Sequence, residues 1–339
     1  MMAWASGQLV TANCACHHNL MTRLSIRRIE DAVHKIDRVF QNTPQYHCPH
    51  LSRALGCRII LKVETLNPVR CFKGRGTETV LASLEANGGQ KAVVCASAGN
   101  LGQALAYCGR NRGFAVTVAA SSAANPLKIE RMKALGATVV LVEGQIEEAL
   151  EAAIAHSRKT GAFLVEDSKN IDTCEGAATI GLELAKLPFP LDSVLISLGA
   201  GAMATGIGFA LKTHSPDTRV LSVQPRNAPA LTRSYLAGEV VESGAPNTIA
   251  DGVAGRYVIP DVLTDMLEVV DDALLVEEGS IVEGMRLLYK HSGLIVEPAA
   301  ALGIASILES PDRFRGQTVA TVLCGSNVAP VDFENWMKH

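Results

Sequence analysis

The stretch that decides the fold class is Val194-Leu195-Ile196-Ser197-Leu198-Gly199-Ala200-Gly201-Ala202-Met203-Ala204. Its first five residues form a nearly continuous apolar run, which is typical of a strand buried on both faces of a parallel sheet. A turn rich in small residues follows, and the residues after it have a helical pattern. A strand that leads through such a turn into a helix is the repeating unit of α/β proteins.

The same unit recurs along most of the chain. Short apolar runs rich in β-forming residues alternate with helical patterns, which predicts a parallel sheet covered by helices on both faces. The predicted fold class is therefore α/β. The predicted strands are 59–63, 92–96, 114–118, 138–142, 194–198, 220–223 and 318–323.

The composition excludes several classes of protein. Of the 339 residues, 48% are hydrophobic and 19% are charged, which indicates a globular chain with a large core. A net charge of -3 provides no basic surface for nucleic acid or for a membrane. No apolar run reaches the ~20 residues of a spanning helix. The nine cysteines are odd in number, and several lie in apolar runs, so we expect reduced thiols in a cytoplasmic protein.

The first residues of the chain have no pattern of a secretory signal. They contain Cys14-Ala15-Cys16-His17-His18, which has the residue types of a zinc site. A structural zinc site needs ligands fixed by folded flanks, and the flanks here show no such pattern. We therefore expect a flexible N-terminal extension over residues 1–27 and no metal site.

Three short polar loops follow predicted strands, at 97–100, 199–202 and 324–327. In open α/β sheets, ligands bind at the carboxyl ends of the strands. The loop at Gly199 can offer successive backbone N–H groups to an anion, or it is only a tight turn. It also matches a dinucleotide fingerprint, which expects an acidic residue at the end of the next strand. Gln224 stands there instead, so a phosphate is favoured over a nicotinamide dinucleotide.

Lys73 lies in the stretch 67–76, which is rich in turn-forming and small residues. A surface lysine is usually only solvated. Lys73 follows Phe72, however, and a partly desolvated lysine can be neutral and nucleophilic, as imine chemistry requires. The lysine motif alone leaves both interpretations open.

Taken together, these stretches resemble the fold type II pyridoxal-phosphate enzymes, the tryptophan synthase β superfamily. The resemblance runs from about Ile29 to Asn327 and lies closest to the serine/threonine dehydratases. Glu64 with Cys71-Phe72-Lys73-Gly74-Arg75-Gly76 is similar to the lysine motif of that family, and the other motifs follow in the same order. They are 97–104, 199–202, 249–252, 296–299 and 323–327.

The resemblance implies two open, mainly parallel twisted sheets flanked by helices. It implies a large cofactor-binding domain over 28–89 and 166–339, a small substrate-loop domain over 90–165, and a homodimer. The implied cofactor is pyridoxal 5'-phosphate, and the implied substrate is a small amino acid.

The resemblance also implies residue roles. Lys73 is the implied catalytic residue, which binds the cofactor covalently and moves the substrate Cα proton. Asn100 would hydrogen-bond the phenolic oxygen of the cofactor, Cys324 would face its pyridine nitrogen, and the phosphate of the cofactor would protonate the leaving hydroxyl. The implied cofactor-binding residues are Lys73, Phe72, Asn100, Gly199, Ala200, Gly201, Ala202, Met203, Glu297 and Cys324. The backbone that would hold the substrate carboxylate comprises Ser97, Ala98, Gly99, Asn100 and Leu101.

The implied reaction is dehydration and deamination of a 3-hydroxy amino acid of the L-threonine or L-serine type, which gives a 2-oxo acid and ammonia. Ala200, Ala202, Cys71 and Leu101 depart from the family pattern, which leaves the phosphate loop and the substrate open. Alternatives on the same fold are a dehydratase for a bulkier substrate, a β-replacement synthase, or a racemase, in which a serine occupies the position of Ala98. A nicotinamide-dependent dehydrogenase and a non-catalytic binding protein are the alternatives from other classes.

Overall fold

The computed structural model describes residues 20–124, 126–256 and 258–338. Within these ranges the chain forms ten strands in two sheets. The strands are β1 (Gln45–His47), β2 (Arg58–Val63), β3 (Ala92–Ala96), β4 (Ala115–Ser121), β5 (Thr138–Val142), β6 (Phe163–Val165), β7 (Ser193–Ser197), β8 (Arg219–Pro225), β9 (Asp272–Val276) and β10 (Thr318–Leu323).

The larger sheet has the strand order β1-β2-β10-β7-β8-β9, and the smaller sheet has the order β5-β4-β3-β6. Every pairing in the two sheets is parallel except the antiparallel pair of β1 and β2. All five residues of β7 are buried, as its continuous apolar run predicts. The predicted α/β class with two mainly parallel sheets is confirmed.

Helices connect the strands and cover the sheets. Helix α7 packs between α3 and α8 on the larger sheet, whereas α4 and α6 pack on strands of the smaller sheet. Short 3-10 helices lie at Arg38–Phe40, Asp251–Val253 and Pro298–Ala301. The helices are α1 (Ile26–Lys35), α2 (Pro49–Leu55), α3 (Lys73–Ala86), α4 (Asn100–Arg112), α5 (Pro126–Ala134), α6 (Ile146–Thr160), α7 (Ile171–Leu184), α8 (Ala202–His214), α9 (Ala230–Ala237), α10 (Pro260–Val269), α11 (Glu278–Ser292), α12 (Leu302–Glu309), α13 (Pro311–Phe314) and α14 (Pro330–Met337).

Three strands were not predicted from the sequence, and all three are edge strands. They are β1, β6 and β9, each of which pairs with one neighbour only. An edge strand is held by the hydrogen bonds of its neighbour and needs little apolar surface of its own. β1 is the polar run Gln-Tyr-His, and none of its residues is buried. β1 therefore lacks the apolar pattern on which the prediction relied, whereas β6 (Phe-Leu-Val) is apolar but only three residues long. β9 contains an apolar run that the prediction missed.

The strands of the smaller sheet all lie within 90–165, and those of the larger sheet lie within 28–89 and 166–339. The exact domain boundaries stay a prediction. The seven cysteines from Cys48 to Cys324 that the structure describes are all buried and free. In the same described ranges, no helix is both long and apolar enough to cross a membrane.

The end of the expected N-terminal extension is packed, so residues 20–27 depart from the flexible segment that we expected. Leu24 is buried, and Arg23 donates through its backbone N–H and its guanidinium to Asp265. The carboxylate of Asp265 is almost fully buried, and its ion pair with Arg23 measures 2.7 Å. The cysteine and histidine pairs at 14–18 lie outside the described residues.

A chain that starts at Met21 is expected to keep the melting temperature and activity of the full chain. The removed residues lack the apolar periodicity that would dock them on the core, and Arg23 is retained. Adding Arg23→Ala to the shortened chain should cost about 2 kcal/mol, because a buried carboxylate loses its charged partner. Thermal unfolding of both proteins tests this. A drop of several degrees on truncation alone would contradict it.

Candidate active site

A cavity of about 380 Å³ opens at the carboxyl ends of β3, β7 and β10. Every site residue predicted from the sequence lines this cavity. They are Phe72, Lys73, Ser97, Ala98, Gly99, Asn100, Leu101, Gly199, Ala200, Gly201, Ala202, Met203, Glu297 and Cys324. Residues that lie far apart in the chain meet here because parallel strands present their carboxyl ends at the same edge of a sheet.

Backbone pairing holds the lysine segment against the loop that follows β10. The N–H of Phe72 donates to the carbonyl of Cys324 at 3.0 Å, and the N–H of Ser326 donates to the carbonyl of Arg70 at 2.9 Å. Lys73, the first residue of α3, is therefore fixed beside Cys324. The sequence predicted turns around Lys73 and missed the helix that begins there.

A buried network of charges anchors the first turn of α3, which begins at Lys73. The guanidinium of Arg75 donates to Glu64 at 2.8 Å and to Glu183 at 2.7 Å, and the ammonium of Lys62 also pairs with Glu183. Burial alone would raise the pKa of Glu183, but the hydrogen bonds and charges of Arg75 and Lys62 lower it below its ordinary value. The network links α3 to β2 and α7, so it holds the start of α3 in place.

The ammonium of Lys73 pairs with the carboxylate of Asp167 at 2.5 Å and lies 4.5 Å from the centre of the Phe72 ring. Asp167 also lines the cavity and was not predicted as a site residue. It follows β6, one of the missed edge strands. Had that short strand been recognised, its carboxyl end would have marked Asp167 as a candidate.

The loop after β3 is organised by its own side chains. The hydroxyl oxygen of Ser97 accepts hydrogen bonds from the N–H groups of Gly99 and Gly102, both at 3.1 Å. The amide nitrogen of Asn100 donates to Glu297 at 2.8 Å, and its amide oxygen accepts from Asn327 at 2.7 Å. One N–H of the Asn100 amide remains for a further acceptor.

Glu297 is buried at the centre of the site. Burial raises its pKa above the ordinary value, and the charge of Asp251 adds to this shift. Lys128 and the hydrogen bonds from Asn327 and Asn100 oppose the shift. Both carboxylate oxygens of Glu297 are engaged, one by Asn100 and the other by the N–H of Asn327 at 3.0 Å.

The thiol of Cys324 is neutral in this environment. Burial raises its pKa, and the nearby charge of Glu297 raises it further. A neutral thiol is at most a weak hydrogen-bonding group, so it cannot act as the anionic partner that a carboxylate would be.

The loop after β7 forms a turn in which one glycine, Gly201, has a positive φ. Gly201 has a φ of 106°, and an added Cβ would lie 2.4 Å from a methyl carbon of Val262. Ala200 and Ala202 do not have positive φ values. Alanine is therefore compatible with this loop, which answers the question raised by these two departures from the family pattern.

Two further charged residues close one side of the cavity. Lys128, in α5, pairs with Asp251 in the 3-10 helix Asp251–Val253, so this ion pair joins a helix on the smaller sheet to a loop of the larger sheet. Neither residue was predicted as part of the site. Lys128 lies in a helix with little amphipathic pattern, and only the tertiary fold brings it to the cavity.

The site fits pyridoxal phosphate. Its volume is that of a pocket for a small cofactor. The N-terminus of α8, with Gly201 before it, has no side-chain cap, so its N–H groups are free to bind a phosphate. An added Cβ on Gly199 would lie 3.0 Å from the carbonyl oxygen of Gly252, so a larger residue there would crowd that loop. A lysine, an amide and a neutral thiol line the same space.

The structure disfavours a nicotinamide cofactor. The side chain of Gln224 is fully buried, and its carbonyl oxygen accepts a hydrogen bond from the N–H of Thr232 at 2.8 Å. It therefore cannot replace the acidic residue that holds a ribose. In residues 20–124, 126–256 and 258–338, no group of three or more His, Cys, Asp or Glu side chains is placed to hold a metal ion.

Comparisons with known proteins agree with this geometry. Residues 36–325 match the protein family described as pyridoxal-phosphate dependent enzyme. L-threonine ammonia-lyase of Thermotoga maritima is 31% identical over 90% of this chain and 76% of that protein. L-threo-3-hydroxyaspartate ammonia-lyase of a Pseudomonas species is 28% identical over 91% of this chain and 96% of that protein. The structure of maize serine racemase superposes with a TM-score of 0.87 at 25% identity, covering 92% of this chain and 96% of that one. The chain belongs to the family of pyridoxal-phosphate-dependent enzymes and has the fold of its type II members.

Proposed function

We propose that the protein is an ammonia-lyase that dehydrates and deaminates a small 3-hydroxy amino acid of the L-threonine or L-serine type. The products would be a 2-oxo acid and ammonia. The observation that carries the proposal is the position of Lys73 in one cavity with the neutral thiol of Cys324. The 31% identity to a threonine ammonia-lyase supports it.

Bound pyridoxal phosphate supplies an electron-withdrawing ring that makes the Cα–H bond of an attached amino acid acidic. Lys73 is the proposed base for that Cα proton, since its amine lies in the cavity. The backbone N–H groups of residues 97–101, at the start of α4, would hold the substrate carboxylate. The loop 199–203 would hold the phosphate, and Asn100 would orient the phenolic oxygen through its remaining N–H.

Cys324 favours elimination over reactions that need a long-lived carbanion. A neutral thiol does not keep the pyridine nitrogen protonated, so the ring withdraws charge less strongly. Loss of a β-hydroxyl removes the negative charge from Cα at once, so elimination does not depend on a strong electron sink. Racemisation has no such outlet, whereas β-replacement begins with the same elimination and is separated from dehydration only by its product.

The substrates to test are chosen from the names of the similar enzymes. The holoenzyme should be incubated with L-threonine, L-serine and L-threo-3-hydroxyaspartate, and 2-oxo acid and ammonia should be measured. The last compound tests a bulkier, anionic substrate, which the Pseudomonas relative supports. Absence of 2-oxo acid from all three compounds, with the cofactor bound, would reject the proposal.

We also propose a cytoplasmic homodimer. The seven described free and buried thiols support a reducing compartment. The dimer rests on the family resemblance, and sedimentation analysis tests it.

Chelation is expected to leave the activity unchanged. Some relatives place a divalent ion after the strand that follows the phosphate loop, where they carry carboxylates. Gln224 and Ala230 occupy the corresponding positions here, and both are buried. Magnesium and calcium require hard, preferably anionic oxygen ligands. The measurement is the turnover rate with and without EDTA, and a rate that magnesium restores would contradict the prediction.

A further inference from the structure

One wall of the cavity has no part in the proposed binding of the cofactor and of the substrate carboxylate. This outer wall consists of Lys128 from α5, Ile146 from the start of α6, and the loop 251–255. It is the largest part of the described lining to which no ligand group is assigned. The substituent on Cβ is likewise the part of the substrate without an assigned partner. The two are therefore matched by elimination.

Ion pairs between distant parts of the chain hold the outer wall together. Lys128 pairs with Asp251 at the start of the loop, and Arg256, directly after the loop, pairs with Glu147 at 3.1 Å. Glu147 is the neighbour of Ile146 in α6. Helices that pack on the smaller sheet and a loop of the larger sheet therefore meet in one surface.

Ile146 gives the outer wall an apolar surface that is open to the cavity. Its side chain is 49% exposed. The large apolar residues Phe72, Leu101, Met203 and Val253 also line the cavity, but they are buried. An apolar substituent that covers Ile146 removes apolar area from water, which favours binding.

Ile146 is also held in place. It is the first residue of α6, and the helix begins with a capping box in which the N–H of Gln145 donates to the Glu148 carboxylate at 2.7 Å. The ion pair of Glu147 with Arg256 ties the same turn to the loop. A surface that is fixed in this way distinguishes ligands that differ by one methyl group, because it does not move to fill the space that a missing methyl leaves.

The positive charges at the cavity already have partners. Both lysines that line it in the described part of the chain pair with a carboxylate, Lys73 with Asp167 and Lys128 with Asp251. The side chain of Lys128 is only 11% exposed. An anionic substituent on Cβ would have to displace Asp251 from Lys128. It would lose hydration without gaining a free cation, so the outer wall disfavours it.

We propose that Ile146 is a specificity-determining residue, whose apolar surface selects an uncharged, apolar substituent on Cβ. The inference rests on the proposed dehydration and narrows its substrate. L-threonine, with a methyl group on Cβ, is favoured over L-serine, which has none, and over L-threo-3-hydroxyaspartate, which has a carboxylate. One methyl group in an apolar site changes kcat/KM by roughly 10- to 200-fold. Because Ile146 is half exposed, the effect lies at the lower end, at about tenfold.

The test separates this subsite from the dehydration by using amino acids that have no hydroxyl to lose. L-alanine, L-2-aminobutyrate and L-aspartate carry a hydrogen, a methyl group and a carboxylate on Cβ. Their dissociation constants for the holoenzyme are measured through the visible absorption of the bound cofactor. The proteins to compare are the wild type, Ile146→Ala and the matched control Leu141→Ala. Leu141 is 50% exposed and lies in β5, outside the cavity lining.

The wild type is expected to bind L-2-aminobutyrate about tenfold more tightly than L-alanine, and to bind L-aspartate most weakly. In Ile146→Ala, the preference for L-2-aminobutyrate should fall to less than about threefold, whereas Leu141→Ala should keep it. Alanine has a higher helix propensity than isoleucine, so α6 should form in the variant. The ratio of kcat/KM for L-threonine to that for L-serine should change in the same way.

Equal affinities for L-alanine and L-2-aminobutyrate in the wild type would overturn the proposal, as would a preference that persists in Ile146→Ala. Binding of L-aspartate as tight as that of L-2-aminobutyrate would also overturn it. None of these results affects the proposed dehydration, which is judged by 2-oxo acid formation. If the three analogues bind in the expected order but no hydroxy amino acid is dehydrated, the subsite stands and the proposed reaction is rejected.

Discussion

Lys73→Ala is expected to abolish turnover on every amino acid and to remove the covalently bound cofactor. The variant loses the amine that we propose both as the covalent attachment point of the cofactor and as the base for the Cα proton. Loss of a positioned base alone costs about 10² to 10⁴ in rate, and loss of the covalent link adds to this. The measurements are 2-oxo acid formation, the visible absorption of the protein, and mass spectrometry after borohydride reduction.

The fold should survive this change. Lys73 is the first residue of α3, and α3 is anchored by the buried guanidinium of Arg75 rather than by the lysine. The matched control is Lys169→Ala, which removes an exposed lysine that pairs with Glu166 and should keep full activity. Wild-type activity in Lys73→Ala on any substrate would show that the assignment of the reactive lysine is wrong.

The second large expected effect is a preference for elimination over racemisation. With L-serine as substrate, we expect D-serine to form at least about 10² times more slowly than pyruvate. A racemase needs an acid–base group on each face of the substrate Cα. Lys73 is the group that we propose for one face. Among the racemases that the chain resembles, a serine serves the other face from the position held here by Ala98. The alanine lines the cavity and has no transferable proton.

Ser97, next to Ala98, is the residue that could weaken this expectation. Its hydroxyl oxygen accepts hydrogen bonds from Gly99 and Gly102, so the side chain is held by the start of α4. We therefore expect it to serve the structure of the loop. Ala98→Ser should raise D-serine formation while pyruvate formation stays within about tenfold.

The test is incubation of the holoenzyme with L-serine, followed by chiral chromatography and a pyruvate assay on the same sample. Formation of D-serine by the wild type at a rate that matches pyruvate would contradict the prediction. In that case Ser97→Ala is the next variant to make, and loss of D-serine formation in it would identify Ser97 as the second acid–base group.

Regular local patterns were sufficient to predict the class of the fold and the residues at the centre of the site. Continuous apolar runs identified the central strands such as β7, because a strand covered on both faces must be apolar throughout. The loops that follow β3, β7 and β10 were predictable for the same reason, since their position follows from the strands before them. The family resemblance then named the cofactor, and the match over residues 36–325 confirmed it.

Contacts between distant parts of the chain could not be derived in this way. The sequence left open whether Ala200 and Ala202 distort the phosphate loop, because a φ value depends on how the loop packs. It also gave no sign that Arg75 would be neutralised by Glu183, which lies more than a hundred residues away.

The sequence by itself determined the α/β class and the central parallel strands, since each is encoded in short runs of neighbouring residues. Only the tertiary structure decided the polar edge strand β1, the ion pair of Lys128 with Asp251, and the place of Asp167 at the lysine. A polar edge strand is stabilised by hydrogen bonds to a neighbour, and an ion pair depends on a distance of a few ångströms between two distant residues. Neither leaves a local pattern, because the free energy comes from groups that the fold brings together.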